Sequence, residues 1–334
     1  MSESDSQQYR VPDELAQKYL SVNEGVTLTA GTAGTYDSHL TNYNAFLSKR
    51  GQNILGAEFT DVLEFVESCV RDGNRRSTIE GKLTTVKELY CFIRLRTDKG
   101  ESLQLDPLRF REINLDRYNT PEAIEREALS KQEIRHLFDA FNSYRNRLMA
   151  IVGVETGIRN SDIRGLRLND VGDTSIHVHD PKYSHPYDVP ISDQLSFELD
   201  WWIQNQRNGY AESENSDYVF PSQHGEKLKY NGSLSEIVRE AAEVAGIQEV
   251  VARSPLTESH KDQLETNKEY REWHRVTVHT LRHSYITLLE KAGVSLPYRQ
   301  LVANHSNPQT TKNYSHGSSE PVFSSIRESY NPPR

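Results

Sequence analysis

From Thr35 onward apolar residues recur three and four apart, at Tyr36, Leu40, Tyr43, Phe46 and Leu47, until Gly51 ends the run. That spacing predicts a helix with one buried face. The same period returns over Phe59–Val70 and Thr78–Leu95, the second opened by Ser77 with Glu80 three residues on, a capping-box arrangement. Between Asp98 and Arg126 the period is lost among Gly100, Pro107 and Pro121. It resumes after Ser130 and Glu133, which cap a helix whose apolar face is Ile134, Leu137, Phe138 and Phe141. Ser175–His179 alternates as a strand, Asp180–Ser184 reads as a turn, and Asp188–Ile191 as the returning strand, with Lys182 at the bend. Helical patterns follow near 195–206, 234–245 and 279–292, and residues 248–272 read as a charged, aperiodic surface insertion.

The expected fold is mainly α with a small antiparallel β-sheet. Four segments are expected: a flexible N-terminal lead-in over 1–30, with one short amphipathic piece from Pro12 to Leu20; a helical domain over 31–112; a linker over 113–127; and a mixed α+β domain over 128–334. At 334 residues each domain has enough chain to bury its own core.

Composition narrows the class. Hydrophobic residues make up 35% and mean hydropathy is −0.72, so no window approaches the roughly 18 to 20 apolar residues of a membrane span. The start, Met1-Ser2-Glu3-Ser4-Asp5, lacks the basic and apolar regions of a secretory signal, so a cytoplasmic protein is expected. Cys69 and Cys91 fall within apolar helical patterns without metal-type spacing and read as reduced core residues, with a disulfide the alternative. A net charge of −9 argues against indiscriminate coating of nucleic acid. Residues 71–111 nevertheless hold ten basic against six acidic side chains, either a solvated helix face or a local basic surface.

The chemistry concentrates in Val278–Tyr314. His279 and Arg282 are three apart on a predicted helix, His305 follows in a turn after Asn304, and Tyr314 lies nine residues further on. Donors that grip a phosphate, followed by a potential oxygen nucleophile, are parts of a phosphoryl-transfer site. A core histidine beside a surface arginine is the bland alternative for His279 and Arg282. Upstream, Thr156–Leu166 reads as a helix end, a glycine break and a new helix start, which places Arg159 beside backbone N–H groups suited to an anion. An Arg159–Asp162 ion pair would be the structural alternative, and Lys182 taken singly is an ordinary exposed lysine.

Four ordered blocks, TGIRNSDIRGL with Arg159, the hairpin with Lys182, HTLRH with His279 and Arg282, and ANHSNPQTTKNYSH with His305 and Tyr314, together resemble the tyrosine recombinases, also called the phage integrase family. The resemblance covers about residues 33–330. It implies a helical, SAM-like core-binding domain and a mixed catalytic domain acting on double-stranded DNA, commonly as a homo-tetramer on paired sites. It further implies that Tyr314 attacks a scissile phosphate to leave a 3'-phosphotyrosyl link. Arg159 and Arg282 would hold the non-bridging oxygens, Lys182 would protonate the departing 5'-oxygen, His279 would help take the tyrosine proton, and His305 would donate to the phosphate. Asp162 would orient this shell. A tyrosine needs such cationic help because its free pKa is about 10. No cofactor is implied. Two departures stand out: Asn304 replaces the family's usual glycine, and the insertion before His279 is long.

Other readings of the same residues compete. His177 with His179, and His279 with His283, have spacings that invite a metal, but no cysteine or carboxylate spacing completes either set, so no metal is expected. Trp201 and Trp202 read as helix packing. For function, a type IB topoisomerase would share the cleavage chemistry, and a catalytically silent DNA-binding relative would keep the fold alone. The tail after Tyr314, bearing Phe323 and Ile326, packs either on a neighbouring subunit or back on its own chain.

Overall fold

The computed structural model describes residues 9–124, 127–179, 186–210, 212–228, 231–256 and 266–297, with isolated positions at 261, 299, 324, 326, 330, 332 and 333. The chain divides into two compact units, residues 1–124 with 254–271, and residues 125–253 with 272–334.

Among the described residues the first unit is built mainly on α1 (Glu14–Asn23), α2 (Ala30–Lys49), α3 (Phe59–Arg71) and α4 (Arg76–Arg96). Their apolar stripes close over a core that includes Leu40, Tyr43, Leu47, Val62, Ile79, Leu89 and Tyr90. Both buried phenols are satisfied: the Tyr43 and Tyr90 hydroxyls lie 3.1 Å apart, and Tyr90 donates to the Ile54 carbonyl at 2.9 Å. Cys69 is buried, Cys91 half-buried, and both are free thiols.

Three expectations change here. Part of the supposed lead-in is α1, capped by Asp13, which accepts from the Leu15 and Ala16 amides, and it buries Ala16, Tyr19 and Leu20. Buried Asp37 holds the chain just ahead of α1 by accepting from the amides of Arg10 and Val11. The amphipathic piece read at Pro12–Leu20 is thus a packed helix and not part of a flexible segment. Helix α4 begins at Arg76, with Arg75 as its N-cap and not Ser77. The reason is local: Gly73 turns with φ +72°, the Asn74 amide closes on the Cys69 carbonyl, and the connection is used up by Arg75. Past 112, Leu115 is buried in the same core, so this unit continues into the segment expected as linker.

In the second unit α5 (Lys131–Asp139) starts at the predicted box, with the Ser130 hydroxyl and the Glu133 carboxylate each accepting from the other's backbone N–H. It is followed by α6 (Tyr144–Thr156), α7 (Asn160–Gly165), the strands β1 (Ser175–Val178) and β2 (Tyr187–Pro190), α8 (Asp193–Trp201), and α9 (Asn231–Val244). The β1–β2 pair is antiparallel, with Ile176 opposite Val189 and His177 opposite Asp188. A π-helical turn, Trp202–Gln206, extends α8, and Trp202 is buried with its indole N–H donating to the Val219 carbonyl. Every residue of α6 from Leu148 to Thr156 is buried, so no polar face remains there.

The supposed insertion contains β3 (Val250–Pro255) and β4 (Tyr270–His274), a second two-stranded sheet. Its strands are largely exposed, so they lack the apolar alternation that would reveal them. Backbone bonding and an Arg253–Glu272 pair at 3.0 Å join its two sides. A further helix, α10 (Val278–Lys291), packs against α6. Its Ser284 hydroxyl accepts from the Leu129 amide and donates to the Thr280 carbonyl.

Ile326 and Tyr330 are buried in this second core, and the Tyr330 hydroxyl donates to the Val154 carbonyl at 3.2 Å. Phe323 lies outside the described residues. No described helix is long and apolar enough to cross a membrane.

Tyr285 sits in the same core, fully buried, and among the described residues its hydroxyl has no hydrogen-bond partner. A buried hydroxyl left unbonded costs about 1 to 3 kcal/mol. Tyr285→Phe is therefore expected to raise the melting temperature by about 2 to 4 °C, on the scale of 1 kcal/mol for a domain of this size. Thermal denaturation checks this; a lower melting temperature would mean the hydroxyl is bonded.

Candidate active site

The site is assembled where α6 ends. Gly157 closes α6 in the left-handed conformation, φ +62°, and its amide bonds back to Gly153. Buried Ile158 follows, and Arg159 then stands as the N-cap residue of α7. Asp162 accepts from the Arg159 amide at 3.3 Å and from the Ser161 hydroxyl at 3.1 Å, so its carboxylate serves to hold the turn. A Cβ at Gly157 would fall 2.3 Å from Cδ1 of Tyr285, which makes glycine necessary for space as well as for conformation.

Helix α10 supplies the other half. Thr277 and Thr280 exchange side-chain and backbone bonds at its start, and the Thr280 hydroxyl also donates to the Arg275 carbonyl at 2.7 Å. This fixes the first turn, which presents His279 on the exposed side. Arg282, one turn further, is only 8% exposed and donates to the Gly157 carbonyl. Burial pushes its pKa down, neighbouring Tyr187 and Asp162 favour its charge, and the like charge of Arg159 opposes it. The two arginines thus feel each other across the α6–α7 turn. A guanidinium bonded to this turn and another arginine within it are groups suited to an anion.

Of the residues predicted to carry chemistry, Arg159, His279 and Arg282 are described, and Arg282 reaches the turn that carries Arg159. Lys182, His305 and Tyr314, with Asn304 and His316, lie outside the described residues. His177 and His179 do share a strand face, with ring centroids 4.7 Å apart. Each is engaged by a carboxylate, His177 by Asp188 at 2.8 Å and His179 by Asp170 at 2.7 Å. Among the described residues no group of three or more metal-type ligands occurs. Sequence reading missed Tyr187, placed beside Arg282, and Lys227, whose position depends on a loop with no periodic signal.

Residues 127–320 match the phage integrase family, and residues 17–97 match the N-terminal SAM-like domain of phage integrases. The chain belongs to the phage integrase family. Among family relatives it is similar to tyrosine recombinase XerD of Proteus mirabilis, 22% identical over 302 residues, covering 88% of this chain and 85% of the relative. It is similar also to tyrosine recombinase XerD of Staphylococcus saprophyticus, 26% identical over 323 residues, covering 94% and 95%. Among solved family structures, the Tn1549 transposon integrase in complex with transposon right end DNA has a TM-score of 0.62 at 16% identity, covering 94% of this chain and 98% of that one. A lambda integrase tetramer bound to a Holliday junction has a TM-score of 0.59 at 16% identity, covering 88% and 77%. These likenesses establish the phage integrase fold, mainly helical with small antiparallel sheets.

Proposed function

We propose that this member of the family is a site-specific DNA recombinase that cuts and rejoins strands through a 3'-phosphotyrosyl intermediate. The observation that carries the proposal is the meeting of Arg282 with the Gly157–Arg159 turn, 125 positions away in the chain as counted to Gly157. A planar, permanently charged fork on each side suits the non-bridging oxygens of one phosphate. In this reading Tyr314 attacks that phosphate and the bond to the 5'-oxygen breaks. Lys182 donates the proton the 5'-oxygen takes, His279 helps remove the tyrosine proton, and His305 donates to the phosphate. The tyrosyl linkage keeps the energy of the diester, so the released 5'-hydroxyl of another strand can reverse the step without ATP.

The partner is double-stranded DNA, and paired sites call for four copies of the chain, in keeping with the tetramer seen for lambda integrase. The SAM-like match over residues 17–97 supports a DNA-binding domain that takes in α1 to α4, and the family match over 127–320 supports residues 128–334 as the catalytic domain. A cytoplasmic location fits this reading.

The test uses nicked duplexes carrying a candidate site. The wild-type chain is expected to give a protein–DNA adduct that survives a denaturing gel, and to join strands from two different duplexes. Relaxation of a supercoiled plasmid carrying the site, with no joining between duplexes, would reassign it to topoisomerase chemistry, and the absence of adduct, joining and relaxation alike would overturn the proposal.

A further inference from the structure

A cavity of about 540 Å³ adjoins the Arg159 turn, lined by Ser161, Asp162, Gly165, Arg167, His179 and Lys227 among others. Its carboxylates are engaged inward, Asp162 by the Arg159 amide and Asp170 by His179 and the Arg167 amide. Lys227 differs from them. Among the described residues its ammonium makes no hydrogen bond and no ion pair, although the side chain is half-buried. It lies across the end of α7, so close that a Cβ at Gly165 would fall 2.8 Å from Nζ and 3.4 Å from Cε. The sequence thus leaves out a side chain at 165 where Lys227 needs to lie.

We propose that Lys227 holds a backbone phosphate of the DNA, a near neighbour of the phosphate held by Arg159 and Arg282. The proposal rests on the recombinase reading for the identity of the polymer, and the geometry supports it in three ways. Arg159 caps α7 and Gly165 ends it, and six residues at about 1.5 Å each span roughly 9 Å, so the two positions lie within reach of neighbouring phosphates of one strand. Arg167 lines the same cavity and adds a second, exposed cation. Burial, with the charges of Arg164 and Arg167, also pushes the Lys227 pKa down against the pull of Asp162, so an arriving phosphate relieves a standing repulsion. A lysine serves here as a point charge, not as a fork.

The test is fluorescence anisotropy with a short labelled duplex, titrated over a range of salt. One lost phosphate contact makes the slope of log K against log salt shallower by about 0.9, which is roughly eightfold in affinity at 0.1 M salt. Lys227→Ala is expected to show both changes, and Lys227→Arg neither. Gly165→Ala displaces the ammonium, so it is expected to weaken binding in the wild-type background and to add nothing in the Lys227→Ala background. An unchanged slope for Lys227→Ala overturns the proposal, as does a full Gly165→Ala effect without Lys227. If the wild type forms its covalent adduct while the slope stays unchanged, only the Lys227 assignment fails. If the slope changes and no adduct forms, the phosphate site stands and the recombinase reading falls.

Discussion

In single-turnover cleavage of nicked DNA, Tyr314→Phe is expected to give no covalent adduct, and Arg282→Lys to give it on the order of 10³ times more slowly than wild type. The two losses differ in kind. Phenylalanine removes the hydroxyl proposed to enter the phosphodiester, so no residual adduct should accumulate with time. Lysine keeps a positive group but replaces a five-donor planar fork by a single ammonium, and burial drives its pKa down in a way guanidinium resists. Arginines that stabilise a phosphoryl transition state supply roughly 10³ to 10⁵ in rate. Arg282 also donates to the Gly157 carbonyl, so its replacement must be accompanied by a urea melt. A rate within tenfold of wild type for a folded Arg282→Lys would remove Arg282 from the phosphate clamp, and an adduct from Tyr314→Phe would remove Tyr314 as nucleophile.

The largest expected effect on stability is at Gly157. An alanine there meets two separate penalties. A Cβ in the left-handed conformation costs about 1 to 2 kcal/mol. Forcing a methyl to within 2.3 Å of the Tyr285 ring overpacks the core, at about 1 to 3 kcal/mol more. Gly157→Ala should therefore lose roughly 2 to 5 kcal/mol in urea unfolding. In a Tyr285→Ala background the clash is gone, and the same substitution should cost only the conformational part, about 1 to 2 kcal/mol. Equal costs in the two backgrounds would show that the ring yields freely and that conformation alone requires glycine. Cleavage by the single variant should fall as well, since the carbonyl that receives Arg282 moves with the turn.

Much of this architecture can be read from the chain because the governing signals are local. Ser130 and Glu133 predict the start of α5 by their own reciprocal bonds, and the apolar period from Tyr36 to Leu47 predicts the face that α2 buries. Signals weaken where structure is set from elsewhere. The sheet of β3 and β4 is held by backbone bonds and an exposed ion pair, neither of which leaves a hydrophobic pattern. Helix α1 is short, and its three buried apolar side chains, read as a short amphipathic piece, are outweighed by the polar residues around it. At the site, the TGIRNSDIRGL block marks Arg159, but nothing local shows that Gly157 must also clear the Tyr285 ring. Lys227 could be found only from the fold, because its meaning lies in an empty position at Gly165 on another segment.

Helix α6, buried over its last nine residues, has a kinetic consequence. Amides so enclosed open to solvent only when the surrounding core opens, which places them among the slowest to exchange hydrogen for deuterium. The turn bearing Arg159 therefore hangs from a segment expected to be among the slowest to open, and the exposed strands β3 and β4 are expected at the opposite end of that scale. Partial unfolding at moderate denaturant should fray such edges long before it disturbs the arginine pair.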